Sequence, residues 1–178
     1  MKKFILFLGT FIILFFIKYS YTQQIENDST WLNWKFLIGN WEGKSSGDPG
    51  NGIGNFSFKF DLDGNVLIRN GHTVFPPQNG RAELVHDDLL IVYKNKSGQP
   101  NKAVYFDNEG HILYYNIEYS ENDSDIILIS DSGPGEPIMR LSYKKLDDND
   151  VNIKFEAAMP NEPGSFKVHV GGTAERVK

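Results

Sequence analysis

Phe56, Phe58, Phe60 and Leu62 alternate with Ser57, Lys59 and Asp61, so one side of this segment is apolar and the other polar. A period of two is the signature of a half-buried β-strand, whose successive side chains point to opposite faces. Comparable short runs recur at 39–45, 66–75, 83–93, 102–107, 111–119, 125–130, 137–146, 150–158 and 165–177. Turn-forming residues separate them, among them Asp63-Gly64, Pro76-Pro77, Ser97-Gly98, Asn108-Glu109-Gly110 and Gly133-Pro134-Gly135. Short connections force neighbouring strands to pair antiparallel. Ten strands in one open sheet would leave two long edges unpaired, so closure is favoured. The predicted fold is therefore all-β, a ten-stranded antiparallel up-and-down barrel, with a two-sheet sandwich as its rival. One short helix is expected at Trp31–Ile38, behind an N-cap at Ser29 or Thr30. The glycine-rich stretch from Gly43 to Gly54 reads as a flexible loop at the barrel mouth.

The chain begins differently. Lys2 and Lys3 precede an apolar run from Phe4 to Ile17, which gives way to Lys18 and polar residues. A basic start, a short apolar centre and a polar exit are the pattern of a secretory signal peptide, assigned here to residues 1–22. The run is shorter than the roughly 20 apolar residues that a membrane-spanning helix needs. An uncleaved anchor is the alternative, because the exit lacks an Ala-x-Ala cleavage pattern. The single barrel domain is then 23–178, secreted or periplasmic, with no membrane association after cleavage. Removing three Lys and no acid leaves 15 basic against 23 acidic residues, 15 − 23 = −8. Such a surface repels nucleic acid and anionic membranes. The sequence contains no Cys, which excludes disulfides, a lipoprotein anchor and thiolate metal sites.

Candidate chemistry follows from the phase of each strand. Val66 and Ile68 share a phase with His72, and Leu84, Leu90 and Val92 share one with His86 and Asp88. On that phase His72 and His86 face the interior, either as polar hooks for a ligand or as structural histidines bonded to a neighbouring strand. A β-bulge would reverse the inference. Arg69 and Arg140 each stand between apolar neighbours. A guanidinium inside a barrel suits an anionic head group, because it offers a planar fork of donors. Outward-facing arginines on solvated strand faces are the plainer reading. Tyr105 and Tyr114 belong to a tyrosine-rich centre that suits either a pocket lining or ordinary sheet packing. Gly43-Lys44-Ser45 lacks the first glycine of a phosphate loop, and Asp61-Leu62-Asp63-Gly64 lacks the closing Glu of a calcium loop. No Gly-x-Ser-x-Gly elbow and no paired-histidine zinc helix occur. No residue is assigned a catalytic or metal-binding role.

The two ends of the domain resemble a known group. Phe36-Leu37-Ile38-Gly39-Asn40-Trp41-Glu42-Gly43 is similar to the opening of calycin barrels, which include the lipocalins, the fatty-acid-binding proteins and the haem-binding nitrobindins. His169-Val170-Gly171-Gly172-Thr173-Ala174-Glu175-Arg176 is similar to the last strand of the nitrobindin branch. The centre, from Arg81 to Tyr119, does not follow that branch. The resemblance implies that Gly39, Trp41 and Arg176 close one end of the barrel. It implies a small apolar or amphipathic ligand inside a non-enzymatic carrier or sensor. By analogy with fatty-acid-binding barrels, Arg140 with Tyr105 or Tyr114 would hold a carboxylate. By analogy with nitrobindins, His169 would be the axial ligand of a haem, the alternative function. A barrel enzyme using His72, His86 or His111 as acid/base is a second alternative, and a filled interaction module a further one. Oligomeric state is left open.

Overall fold

The computed structural model of the chain describes residues 29–78, 80–120 and 125–177. The signal-peptide assignment at residues 1–22 lies outside them. Ten strands follow a short entry helix: β1 Gly39–Gly47, β2 Gly52–Asp61, β3 Val66–Phe75, β4 Leu84–Tyr93, β5 Lys102–Asp107, β6 Ile112–Tyr119, β7 Asp125–Ser130, β8 Ile138–Lys145, β9 Asp150–Ala158 and β10 Lys167–Arg176. Each strand pairs antiparallel with its sequence neighbours, and β1 pairs with β10, so the sheet is a closed up-and-down barrel with no sandwich seam. Closure removes the free edges that ten short strands would otherwise expose.

The entry helix, Ser29–Leu37, is 3₁₀ rather than α. Its buried residues are Trp31, Trp34 and Leu37, spaced three apart. A helix with three residues per turn stacks such positions on one edge, whereas an α-helix would fan them out. That edge seals one end of the barrel. Trp31 Nε1 donates to the Gly64 carbonyl at 2.9 Å, Trp34 Nε1 to the Tyr119 hydroxyl at 2.9 Å, and Trp41 Nε1 to the Leu37 carbonyl at 2.8 Å. Arg176, opposite Trp41 in the β1–β10 register, lays its guanidinium 4.4 Å from the Trp41 ring centre. It also donates to the Phe36 and Ile38 carbonyls at 2.6 and 2.5 Å. Those carbonyls are at the helix exit, where oxygens lack intrahelical partners and a cation is favoured. Gly39 lies at φ +119°, a conformation open to glycine, and a Cβ there would stand 3.1 Å from the Arg176 guanidinium.

Above this seal Phe58, Leu90, Val92, Ile117, Leu128 and Tyr143 fill the interior. The expected long loop between Gly43 and Gly54 is a short turn at 48–51, because both flanks pair as β1 and β2. Leu62 leaves the alternation of β2: it is exposed, at φ 47°, in the turn that Asp61 caps.

Candidate functional site

At the end opposite the entry helix the barrel is open, and a cavity of about 440 Å³ enters it. Small inward residues on three adjacent strands make room for it: Gly43 and Ser45 of β1, Gly54 of β2 and Gly172 of β10. The rest of the lining falls into two walls. Met139 and Leu141 of β8 with Ile153, Phe155 and Ala157 of β9 make one of them apolar. The other comes from β3, β4, β5 and the β5–β6 turn, and carries Arg69, His86, Asp88, Tyr105, Asp107 and Glu109. Adjacent strands thus supply one continuous ionisable surface facing a hydrocarbon one.

The polar wall is ordered by hydrogen bonds. Arg69 pairs with Asp88, whose side chain is 6 % exposed, and the guanidinium lies 5.0 Å from the Phe56 ring centre. A cation over an aromatic face gains from the ring quadrupole where water is excluded. Glu109 Oε1 accepts from His86 Nδ1 at 2.9 Å. That fixes the ring proton on Nδ1 and leaves Nε2 as the acceptor for the Tyr105 hydroxyl, 3.0 Å away. Burial, reinforced by the Asp107 carboxylate, pushes the Tyr105 phenol far above its usual range, so it keeps its proton and serves as a hydrogen-bonding group rather than a nucleophile. Asp107 shows the opposite balance. Burial raises its carboxyl, but hydrogen bonds from the His111 backbone and ring and from the Glu109 N–H outweigh this and hold it below the ordinary value. Its two oxygens tie the 107–111 turn together and are spent there.

His86 and Tyr105 therefore stand together in the cavity. Three other candidates do not. The inward phase of β3 is Leu67, Arg69 and Phe75, so His72 faces outward, 47 % exposed and 2.6 Å from Asp87 of β4. Tyr114 is also on the outer face, 57 % exposed, because Tyr115 takes the inward position. Arg140 points outward as well. It makes a bidentate pair with Glu156 of β9, at 2.8 and 2.9 Å, under the Phe166 ring at 3.9 Å. It is closed to a ligand inside. His111 sits at the rim, its Nδ1 2.8 Å from Asp107. His169 lines the cavity mouth at a bulge between Val168 and Val170, with Nδ1 2.9 Å from Asp48 Oδ2 and its ring edge-on to Phe155. Gly39, Trp41 and Arg176 belong to the sealed end. Sequence reasoning missed Glu109, which read only as a turn residue, and Asp107, which read only as the end of the strand run 102–107. It weighed Arg69 and Asp88 separately, and their pairing became visible with the β3–β4 register.

No family model matches the chain, and no curated protein matches it in sequence. In three dimensions it is similar to the S-type phycobiliprotein lyase CPES from Guillardia theta, with a TM-score of 0.51 and 8 % identity over 88 % of this chain and 97 % of that one. Two further barrels align more loosely. A de novo designed fluorescence-activating β-barrel gives a TM-score of 0.29 and 11 % identity over 80 % of this chain and 95 % of the design. A DUF3598 protein of unknown function from Nostoc punctiforme gives 0.30 and 8 % over 84 % and 100 %. The likeness to the lyase is one of fold, an antiparallel β-barrel.

Proposed function

We propose that the protein is an exported carrier or sensor that holds a small amphipathic molecule in the open half of its barrel. The observation that carries this reading is the two-sided cavity of about 440 Å³, apolar along β8 and β9 and ionisable along β3–β5. A pocket of that size with convergent polar groups is of the kind that buries a small organic molecule. The packed lower half and the sealed end make one mouth the entrance. The fold shared with the phycobiliprotein lyase supports the architecture and says nothing of the ligand.

Titration of the purified protein with the neutral dye phenylnaphthylamine is expected to give saturable, one-site fluorescence enhancement. Ala157→Phe, which places a ring among the apolar wall residues, is expected to abolish it while the far-ultraviolet spectrum stays that of the wild type. An unsaturable signal, or one indifferent to Ala157→Phe, removes the carrier reading. The mass of the same protein recovered after export reads the leader directly: retention of residues 1–22 contradicts the cleaved form.

A second reading is favoured by the setting of His169. Its Nδ1 rests on the Asp48 carboxylate, the arrangement that orients an imidazole and leaves Nε2 for a metal. In a haem protein His169 would hold the iron and Asp48 would fix the ring, with the porphyrin supplying the redox and gas-binding chemistry. Haem titration followed by absorbance decides it. A Soret shift lost in His169→Ala supports the reading, and no shift, or one that survives the substitution, eliminates it.

A further inference from the structure

The polar wall carries three carboxylates against one guanidinium, and this selects the head group. Two arginines were candidates for an anion, and neither is available. Arg140 is outside the cavity and paired. Arg69 lines the cavity, but its charge is balanced by Asp88. Three carboxylates line the cavity beside it, Asp88, Asp107 and Glu109. Lys44 also borders the space, but it is an exposed residue between the inward Gly43 and Ser45, so its ammonium points away.

Two oxygens on this wall are open to a cation. Asp88 Oδ1 is taken by Arg69, while Oδ2 accepts no hydrogen bond among the described residues and stands 3.9 Å from His86 Nε2. Tyr105 donates its proton to that same Nε2, so the lone pairs of its hydroxyl remain unused. Burial keeps the phenol protonated, which preserves this direction of donation. Both oxygens flank one nitrogen, so a head group at this point meets two acceptors beside a guanidinium whose charge Asp88 already balances. A carboxylate there would face Asp88 directly and pay for the repulsion in a shielded site.

We propose that the cavity takes a lipophilic amine, with its ammonium on Asp88 Oδ2 and the Tyr105 hydroxyl and its hydrocarbon along β8 and β9. The fatty-acid anion is refused. This rests on the carrier reading and names its ligand class. An ammonium offers three donors to acceptors of this kind and gains from the excess of carboxylates around it.

Competition against phenylnaphthylamine on the full-length protein tests it, using dodecylamine, dodecanol and dodecanoate at neutral pH, each below its micellar concentration. Dodecylamine is expected to displace the dye at about tenfold lower concentration than dodecanoate, with dodecanol between them. Asp88→Asn, which leaves Arg69 unpaired, is expected to reverse the order of amine and carboxylate. Tyr105→Phe serves should that variant not fold, and is expected to weaken the amine several-fold without changing dodecanol. Dodecanoate binding as well as the amine overturns the assignment and leaves the carrier reading standing. An unchanged order in a folded variant also overturns it, because the preference would then come from the acidic surface. No dye binding at all brings down the carrier reading with it.

Discussion

Gly71 shows how closely the polar wall is fitted. It lies on β3 two residues after Arg69, and a Cβ there would stand 2.5 Å from Asp88 Oδ2 and 2.8 Å from the Arg69 guanidinium. Alanine in place of a strand glycine ordinarily stabilises, because the unfolded chain loses freedom and the strand gains a side chain. Here the added methyl occupies the space of a shielded ion pair, and displacing one partner leaves a charge without compensation. Gly71→Ala is therefore expected to destabilise by about 2 kcal/mol, read as a fall in urea midpoint at unchanged slope. The same variant is expected to bind phenylnaphthylamine more weakly, since the methyl stands at the polar wall. A neutral or stabilising effect would mean that the pair is not held where the structure places it.

At the scale of elements, the legibility of the chain depended on how one-sided each strand is. β2 was clear because Phe56, Phe58 and Phe60 are separated by Ser57 and Lys59. β3 opens with Val66-Leu67-Ile68, apolar on both faces, and the phase read from Val66 and Ile68 is the outer one. Leu67 is the residue fully buried, and choosing its phase puts Arg69 inside and His72 outside, as a period of two requires. Tyr114 was a candidate by analogy alone, and Ile112-Leu113-Tyr114-Tyr115, apolar or aromatic on both faces, offers no phase to test it. β4 was correctly phased because Leu90 and Val92 are both buried, and His86 and Asp88 followed from them. The glycines of β1 and β2 looked like a loop because nothing in their composition signals a strand. Their role is set by close approach to β10 and by the space they leave inside, and both are properties of the assembled barrel. The helix was found but not its type, although the spacing of Trp31, Trp34 and Leu37 carried that information. The Glu109–His86–Tyr105 chain joins a turn, β4 and β5, and only their register brings it together.

The whole molecule places tyrosines from several strands inside one barrel, and this ties its stability to alkaline pH. Burial raises the phenols of Tyr105, Tyr115, Tyr119 and Tyr143 above the ordinary value of 10.0. The hydroxyls of Tyr115 and Tyr143 have no hydrogen-bond partner among the described residues, so no hydrogen bond stabilises a phenolate there, and at Tyr143 burial outweighs the opposing Arg69 charge. Above about pH 10 the unfolded chain releases these protons while the folded barrel retains them. The folded state then binds more protons, and stability must fall as pH rises. The contribution is intact below the unfolded value and is lost progressively toward the folded one. Each fully shielded phenol, as Tyr143 is, removes about 1.4 kcal/mol per pH unit in that range. Urea midpoints measured upward from about pH 9 are expected to hold and then decline steeply past about pH 10. Phenolate absorbance of the buried group should appear together with loss of the far-ultraviolet strand signal. A gradual rise of that absorbance in a barrel that stays folded would show water reaching Tyr115 and Tyr143, and the cavity would then extend beyond the residues that line it. A midpoint flat through this range would contradict burial of the phenols altogether.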